Sequence, residues 1–451
     1  MELRKVRLGE IIDEYISGDW GCDVTSEEAI NGVFCIRGAD MVPIANSDFT
    51  NIPLRYISNR SKNKRLLKAG DLVIEKSGGS PTQSTGRMVI VSEELIKEKK
   101  HVVCSNFCTA IRLKAGWNPL YVYYYWTLAY NSGVFFNFEG KTSGLRNLNL
   151  DLALSSIEIK QATPDEQNKL VGLLSDIDRK IALNRRMNAT LEAMARQLYD
   201  YWFLQFDFPD AHGKPYKSSG GEMTWNDKLK RDIPEGWEVK SIDEIETNIV
   251  TGKTPSCADT ENFNGDIPFV TIDDIRGNLF VFNSQRTLSK KGADSQKNKY
   301  LPIGSLCVSC IGTVGVMGFM AKLSQTNQQI NSIIFENECN KEFLYFSLIK
   351  YFENAKAKTG NVFANMSKEE FASIKVVYPP KQSLLPYHDK AASLLRYVKN
   401  NIREITSLTR LRTTLLPLLM NGQVGVRRAV ARNGELEPPS VPPCRGKINE
   451  Q

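Results

Sequence analysis

The chain has 451 residues, 41% of them hydrophobic and 24% charged, with 58 Lys and Arg against 51 Asp and Glu and a net charge of +7. That is the composition of an ordinary globular protein with room for two or three domains, and its mildly basic balance is compatible with a nucleic-acid partner. The opening residues, MELRKVRLGE, carry charges where an export signal needs an apolar core. The longest apolar run, Leu120–Tyr130, is too short for a bilayer. A membrane partner is therefore not expected, and nine scattered cysteines point to a reduced, cytoplasmic setting.

In chain order, residues 1–162 read as a mixed α+β domain. Strand-like runs at Leu72–Glu75, Met88–Ser92, Val102–Val103 and Thr109–Leu113 alternate with Gly-rich turns such as Lys76–Arg87, and a helix is predicted at Pro119–Asn131. A long helix is predicted over 163–207. Thr163 stands at its N-cap, Pro164 at the first helical position, and Glu166 completes a capping box. Leu170, Leu174, Ile177, Ile181, Asn184, Asn188, Leu191, Ala195, Leu198 and Trp202 recur in alternating steps of four and three, the rhythm of a coiled-coil seam. At ~1.5 Å per residue the rod would be roughly 60 Å long. Residues 208–236, rich in Gly, Pro and Lys, read as a linker, 237–380 as a second mixed domain, 381–424 as a second long helix, and 425–451 as a disordered tail.

The second helix repeats the first. Tyr387, Ala391, Leu394, Val398, Asn401, Ile405, Leu408 and Leu415 each lie 217 residues after a stripe position of the first rod, so that Asn401 matches Asn184. An Asn in an apolar seam is a device for fixing register. The domains repeat too: Leu66–Ile74 resembles Tyr300–Val308, and Glu139–Asn149 resembles Ala357–Ser367. Each of the latter leads through a predicted strand, Ser155–Ile159 or Ala372–Tyr378, into Pro and the long helix. The fold class is thus α+β, a tandem duplication of domain plus rod.

Catalytic readings weaken one by one. Gly140-Lys141-Thr142 and Gly252-Lys253-Thr254 look like the end of a phosphate-binding loop, but the Gly required five residues earlier is replaced by Phe135 and Thr247. Gly312 to Gly318 lacks dinucleotide spacing and reads as strand–turn–strand. Asp165 with Asp178-Arg179-Lys180 echoes a metal-dependent nuclease. Both halves lie on the predicted helix, however, so Asp178-Arg179-Lys180 reads as charged surface. Tyr378-Pro379-Pro380 lacks the polar residue an amino-methyltransferase needs and reads as a strand exit before a helix. Cys104/Cys108 and Cys307/Cys310 read as buried thiols in preference to zinc ligands, and His101, His212 and His388 share no motif. No catalytic residue and no metal site are assigned.

Binding remains. Loops rich in Gly, Ser, Thr, Asn and Gln carry single cations, and such side chains supply phosphate contacts and bidentate bonds to base edges. The candidate DNA-binding residues are Lys76, Ser77, Arg87, Lys141, Thr142, Arg146 and Asn147 in the first domain. In the second they are Lys253, Thr254, Thr313, Asn327, Gln328, Lys358, Asn361 and Asn365.

With these pieces in place, the chain resembles the specificity subunit of type I restriction–modification systems. The resemblance is carried by the first rod (Leu173–Phe208), by IPEGWEV at Ile233–Val239 and by LLPLLMNGQV at Leu415–Val424. It implies two target-recognition domains, each reading half of an asymmetric bipartite site in double-stranded DNA. It also implies rods that pair as an antiparallel coiled coil and set the gap between half-sites. Two methyltransferase subunits would dock on the rods, joined in some assemblies by restriction subunits. S-adenosylmethionine, ATP and Mg would then sit on those partners, and this chain would have no activity of its own. Arg179, Lys180, Arg185, Arg186, Lys399 and Arg403 on the outer helical faces are candidates for docking. The competing reading is a coiled-coil scaffold that binds proteins only.

Overall fold

The computed structural model describes residues 4–80, 82–142, 145–359 and 365–423, without the side chains of residues 141, 142, 145, 358 and 359. The chain forms two compact units. One runs up to Leu183 and resumes at Ser407, and the other spans Asn184–Thr406, so each takes part of both long helices. That differs from the boundaries expected above, which kept each helix apart from the domains.

The first unit holds β1 (Lys5–Arg7), β2 (Ile12–Ser17), β3 (Asn31–Ile36), β4 (Leu54–Ile57), α1 (Asn59–Arg65), β5 (Leu72–Glu75), β6 (Ser77–Gly78), β7 (Met88–Ile90), β8 (Val102–Cys104) and β9 (Cys108–Leu113). After these come α2 (Pro119–Asn131), β10 (Glu139–Thr142), β11 (Leu145–Leu148), α3 (Leu150–Ser156), β12 (Glu158–Lys160) and the start of α4 (Pro164–Tyr199). Its central sheet has the order β2-β9-β5-β7, and a second sheet has the order β4-β3-β8 with β3 and β8 parallel. All four β5 residues are buried, as the unbroken apolar run Leu72-Val73-Ile74 requires of a strand covered on both faces. Each such side chain stabilises the fold by about 1.5–3 kcal/mol. The strand expected at Ser155–Ile159 starts late: Asn149 caps α3 by accepting the Leu152 N–H at 3.1 Å, the helix takes in Ser155 and Ser156, and the strand begins at Glu158.

The second unit contains β13 (Met223–Asn226), β14 (Arg231–Pro234), β15 (Glu238–Ser241), β16 (Ile249–Thr251), β17 (Phe263–Val270), β18 (Phe280–Val281), β19 (Arg286–Leu288) and β20 (Leu306–Ser309). It continues through β21 (Met317–Met320), β22 (Gln325–Thr326), β23 (Ile330–Ile333), α5 (Asn340–Thr359), β24 (Lys375–Tyr378) and α6 (Lys381–Met420). Its sheets have the orders β16-β23-β20-β21-β18 and β19-β17-β22, with β17 and β22 parallel. β15 pairs with β24 as β1 pairs with β12. The duplication read from sequence is therefore a duplication of topology, with β18, β13–β14 and the small sheet β10-β11-β6 as additions.

The segment expected as a linker is folded. β13 and β14 form a hairpin, Phe208 stacks on Tyr216 at 4.6 Å, and Trp237 closes on Phe208 at 5.0 Å. The hairpin ladder, these rings and the Ser218 N–H donating to Asp207 Oδ1 at 2.7 Å hold a segment of polar composition in place. The tail 425–451 lies outside the described residues.

Thr163 and Glu166 make the capping box: the Thr163 N–H donates to Glu166 Oε2 at 2.9 Å and the Glu166 N–H to Thr163 Oγ1 at 3.3 Å. The Thr163 N–H and the Thr163 hydroxyl, which donates to the same Oε2 at 3.0 Å, hold the Glu166 carboxyl below its usual range. At its end α4 widens, with the Gln205 N–H reaching back to the Asp200 carbonyl, and Trp202 and Phe203 turn into a cluster with Tyr387.

The seam follows the predicted stripe. Leu174, Ile177, Ile181, Asn184 and Ala195 are buried, as are Tyr387, Ala391 and Val398. Leu170, Leu191, Leu198, Leu394, Asn401, Ile405, Leu408 and Leu415 are half-buried. Within the second unit Asn184 Nδ2 donates to Glu404 at 2.7 Å and Asn401 Nδ2 to Asn188 at 2.9 Å. As one number rises its partner's falls, so α4 and α6 run antiparallel there. The two matched Asn residues do not bond to each other; each takes a polar partner from the facing helix.

In the first unit Asp178 is not the free surface charge expected. Arg412 lies 2.6 Å from its Oδ1, and the Tyr124 hydroxyl donates to its Oδ2 at 2.9 Å. By the 217-residue repeat, Asp178 corresponds to Leu395 and Arg412 to Ala195, both buried in the second unit's core. One half of the seam thus carries an ion pair where the other carries an apolar pair. We predict that Arg412→Ala costs about 1–3 kcal/mol, because it strands a half-buried carboxylate, whereas Asp178→Leu with Arg412→Ala recovers at least half of that loss. Denaturant midpoints of the two variants check this, and a double variant no more stable than the single would contradict it.

Candidate nucleic-acid interface

The two units present the same three-loop frame at the end of the central sheet where β5 and β20 terminate. First, the chain leaving β2 or β16 crosses directly over the next turn. At Gly18 a Cβ would collide with the carbonyl oxygen of Ser105, and at Gly252 with that of Asn327. Only glycine permits this approach. The crossing is fastened by Asp19 N–H to Cys104 O at 2.7 Å and by Lys253 N–H to Thr326 O at 3.0 Å.

Second, the turns Ser105-Asn106-Phe107 and Asn327-Gln328-Gln329 join β8 to β9 and β22 to β23. Their last carbonyls accept the N–H of the residue after the central strand: Lys76 N–H to Phe107 O at 2.7 Å, Cys310 N–H to Gln329 O at 2.8 Å. Third, that residue's own carbonyl accepts from the late loop, Leu148 N–H at 2.7 Å in one unit and Met366 N–H at 2.8 Å in the other. Asn147 and Asn365 therefore occupy equivalent positions, as the sequence repeat suggested.

The side chains on this frame differ. In the second unit Lys253, Thr254, Asn327 and Gln328 come together, although 74 residues separate Thr254 from Gln328. Thr254 Oγ1 donates to Gln328 Oε1 at 2.8 Å, Asn327 Nδ2 donates to Gln329 Oε1 at 3.0 Å, and Lys253 and Gln328 are exposed. Thr313 and Asn365 form a second exposed group. The backbone of Asn365 bridges to Ile311, and Arg276 Nη2 donates to Thr313 Oγ1 at 3.4 Å. Arg276 was missed in the sequence; the only signal was an Arg immediately before the Gly277-Asn278 turn. Lys358 has no described side chain, and Asn361 lies outside the described residues.

In the first unit Ser77 donates to Asn147 Oδ1, and β6 and β11 bring Ser77 and Gly78 opposite Asn147 and Arg146. The loops Lys76–Arg87 and Lys141–Asn149, expected as separate, are joined in one sheet. Both arginines already have carboxylates. Arg87 is bidentate to the buried Glu75 at 2.8 and 2.6 Å, which raises its pKa further. Arg146 Nη1 donates to Glu139 at 2.8 Å while its guanidinium lies 5.9 Å from the Phe136 ring. Lys141 and Thr142 lie on β10, but their side chains are outside those described. Phe107, 59% exposed beside Lys76, was also missed, because a lone aromatic in a turn carries no periodic signal.

The tempting motifs resolve structurally. Gly252 serves the loop crossing, Gly312 and Gly315 (φ +77° and +87°) make the β20–β21 turn, and the Tyr378 hydroxyl donates to Asn340 at 2.9 Å at the end of β24. His388 Nδ1 meets Glu342 at 2.6 Å, which raises its pKa. Burial pushes the thiols of Cys104 and Cys307 up to about 12 and those of Cys108 and Cys310 to about 11. Cys104 ends β8 and Cys108 begins β9, whereas Cys307 lies on β20 and Cys310 just after it, positions that do not correspond in the repeat. Among the described residues no group of three or more His, Cys, Asp or Glu is placed to hold a metal, and no helix is long and apolar enough to cross a membrane.

A duplicated α+β frame offering polar loops from each copy is the architecture of a two-part recognition protein. The family described as type I restriction modification DNA specificity domain matches residues 22–193 and 234–410, and the chain belongs to that family. It is 30% identical over 325 residues to the specificity subunit of the type I restriction enzyme HindI of Haemophilus influenzae, covering 60% of this chain and 70% of that protein. It is 24% identical over 294 residues to the MjaIX specificity subunit of Methanocaldococcus jannaschii, covering 60% of this chain and 62% of that protein. The crystal structure of a type I restriction–modification S subunit from M. genitalium shares the fold, with a TM-score of 0.54 and 14% identity over 93% of this chain and 96% of that one.

We predict that Arg87→Met destabilises the protein by about 3–5 kcal/mol through the unpaired Glu75, while Gln328→Ala stays within about 0.5 kcal/mol of wild type. Urea midpoints separate the two, and an Arg87→Met protein as stable as wild type would make Arg87 a free reader again.

Proposed function

We propose that this chain is the non-catalytic DNA-reading subunit of a type I restriction–modification complex, and that each unit reads one half of an asymmetric bipartite site. The observation that carries this reading is the loop frame itself. The backbone bonds around Gly18, Phe107 and Lys76 are repeated around Gly252, Gln329 and Cys310, yet the turns carry Ser-Asn-Phe in one unit and Asn-Gln-Gln in the other. One scaffold with two sets of side chains is what reading two different half-sites requires. Gln328 and Asn327 suit bidentate readout of adenine, and Lys253 suits a phosphate.

In this reading the long helices, shared by both units, set the gap between half-sites and pair as a coiled coil. Their outer face docks methyltransferase subunits, two per chain, with restriction subunits joining them. Met187, Met194 and Tyr201 support it: spaced by sevens on α4 and the turn that ends it, they are 43%, 49% and 37% exposed, an apolar stripe that flanks the seam. The cationic docking candidates are less free. Arg179 pairs with Asp176, and Lys399, half-buried, lies 5.7 Å from the Phe280 ring. S-adenosylmethionine, ATP and Mg belong to the partners, which must hold the duplex still to flip an adenine, and the complex works in the cytoplasm.

Three outcomes are expected. Mapping methylated adenines in cells with and without this chain shows loss of one bipartite motif; no lost motif sinks the proposal. Exchanging residues 237–380 for those of a relative changes only one half of that motif, and a change in both halves would end the modular reading. Met187→Asp with Met194→Asp abolishes co-purification of the methyltransferase while the circular dichroism spectrum stays that of wild type; retained co-purification would move the docking site elsewhere.

A further inference from the structure

A shared tripeptide lies outside the three recognition loops. α1 of the first unit contains Lys62-Asn63-Lys64, and the single helical turn Lys297–Lys299 of the second contains Lys297-Asn298-Lys299. Both tripeptides precede the central strand by the same route. Each chain passes a glycine in the left-handed region, Gly70 (φ +93°) or Gly304 (φ +90°), and then enters β5 or β20. The first tripeptide lies on α1 and the second on a separate turn after the helix Lys290–Asp294, so on the match of Leu66–Ile74 with Tyr300–Val308 they stand in the same approach to the central strand, one residue out of register.

Each is also fastened to the loop frame. Arg65, which ends α1, reaches back with Nη1 to Asp19 at 3.0 Å and with Nε to Ser17 at 3.2 Å. Gln296, just before the second turn, donates from Nε2 to the carbonyl of Lys253 at 2.7 Å. Asp19 and Lys253 are equivalent residues of the loop that crosses at Gly18 or Gly252. Both turns thus flank the recognition loops at the same end of the sheet.

Their chemistry is that of a polyanion contact. Asn63, Lys64, Lys297 and Asn298 are exposed, and Lys62 and Lys299 are half-buried. Lys62 makes only a 3.3 Å bond to the side-chain oxygen of Asn31. Among the described residues none of the four lysines has a carboxylate partner, and α1 contains no acidic residue. The recognition turns of the two units differ, while this tripeptide is the same in both. Side chains that vary answer the bases, which differ between half-sites; side chains that do not vary suit the part of the duplex that is the same everywhere, its phosphates.

We propose that Lys62-Asn63-Lys64 and Lys297-Asn298-Lys299 are a matched pair of backbone-phosphate clamps, one per unit, that position each recognition domain on its half-site without reading sequence. The proposal rests on the DNA-reading function proposed above and adds the elements that anchor it.

The test titrates the full-length protein against a mixed-sequence duplex of about three helical turns and measures affinity between about 50 and 200 mM salt. Lys62→Ala with Lys64→Ala lowers the log–log salt slope by about 1.8, as does Lys297→Ala with Lys299→Ala, at about 0.9 for each phosphate no longer neutralised. Lys62→Arg with Lys64→Arg keeps the wild-type slope, which separates removed charge from a damaged fold. The methylated motif in cells is unchanged by either pair. A wild-type slope that persists in both alanine pairs overturns this inference alone. A wild-type protein without salt-dependent binding overturns the DNA-reading function along with it. A changed motif overturns the assignment to phosphates.

Discussion

At Gly18 and Gly252 there is no room for a methyl group, and the recognition frame depends on that. Because the chain leaving the first strand lies directly on the following turn, its backbone N–H meets a carbonyl at about hydrogen-bond distance, Asp19 to Cys104 and Lys253 to Thr326. Once that crossing is made, the turn beyond it is held from two sides, and its side chains project from a rigid base. A larger residue at either position would push the loops apart and, with them, the groups that face a ligand. Pre-organising polar side chains on hydrogen-bonded turns lowers the ordering cost of binding.

The long helices meet a different constraint. A rod of this length cannot bury its apolar stripe on itself, so its stability comes from the facing helix. The apolar positions are interchangeable between the two halves; the polar ones are not. Asn184 faces Glu404, Asn401 faces Asn188, and in the first unit Asp178 faces Arg412 where the repeat provides an apolar pair in the second. Duplicated sequences could pair in more than one register, and polar contacts that exist at only one alignment penalise the others.

Buried charge within the first unit shows how structure reassigns a residue that looks like a ligand contact. Arg87 and Arg146 have the composition and setting of phosphate readers, yet Glu75 and Glu139 already accept from them. The carboxylates are nearly inaccessible, so removing either arginine would leave a charge without water or counter-ion. The exposed Lys64, Lys297 and Gln328 carry no such commitment to the fold's interior.

The sequence by itself determined what is periodic or local. The stripe of α4 and α6, the Thr163–Glu166 cap and the helix at Pro119–Asn131 follow from side-chain spacing along one element. The duplication follows from matching such spacings at a distance of 217 residues. Tertiary structure alone decided which polar residues act together. Thr254 meets Gln328, Ser77 meets Asn147 and Asp178 meets Arg412 only after strands and helices distant in sequence have packed. It also decided which cations were free, because a carboxylate such as Glu75 neutralises Arg87 through the pairing of two strands, and nothing in the order of residues records that approach.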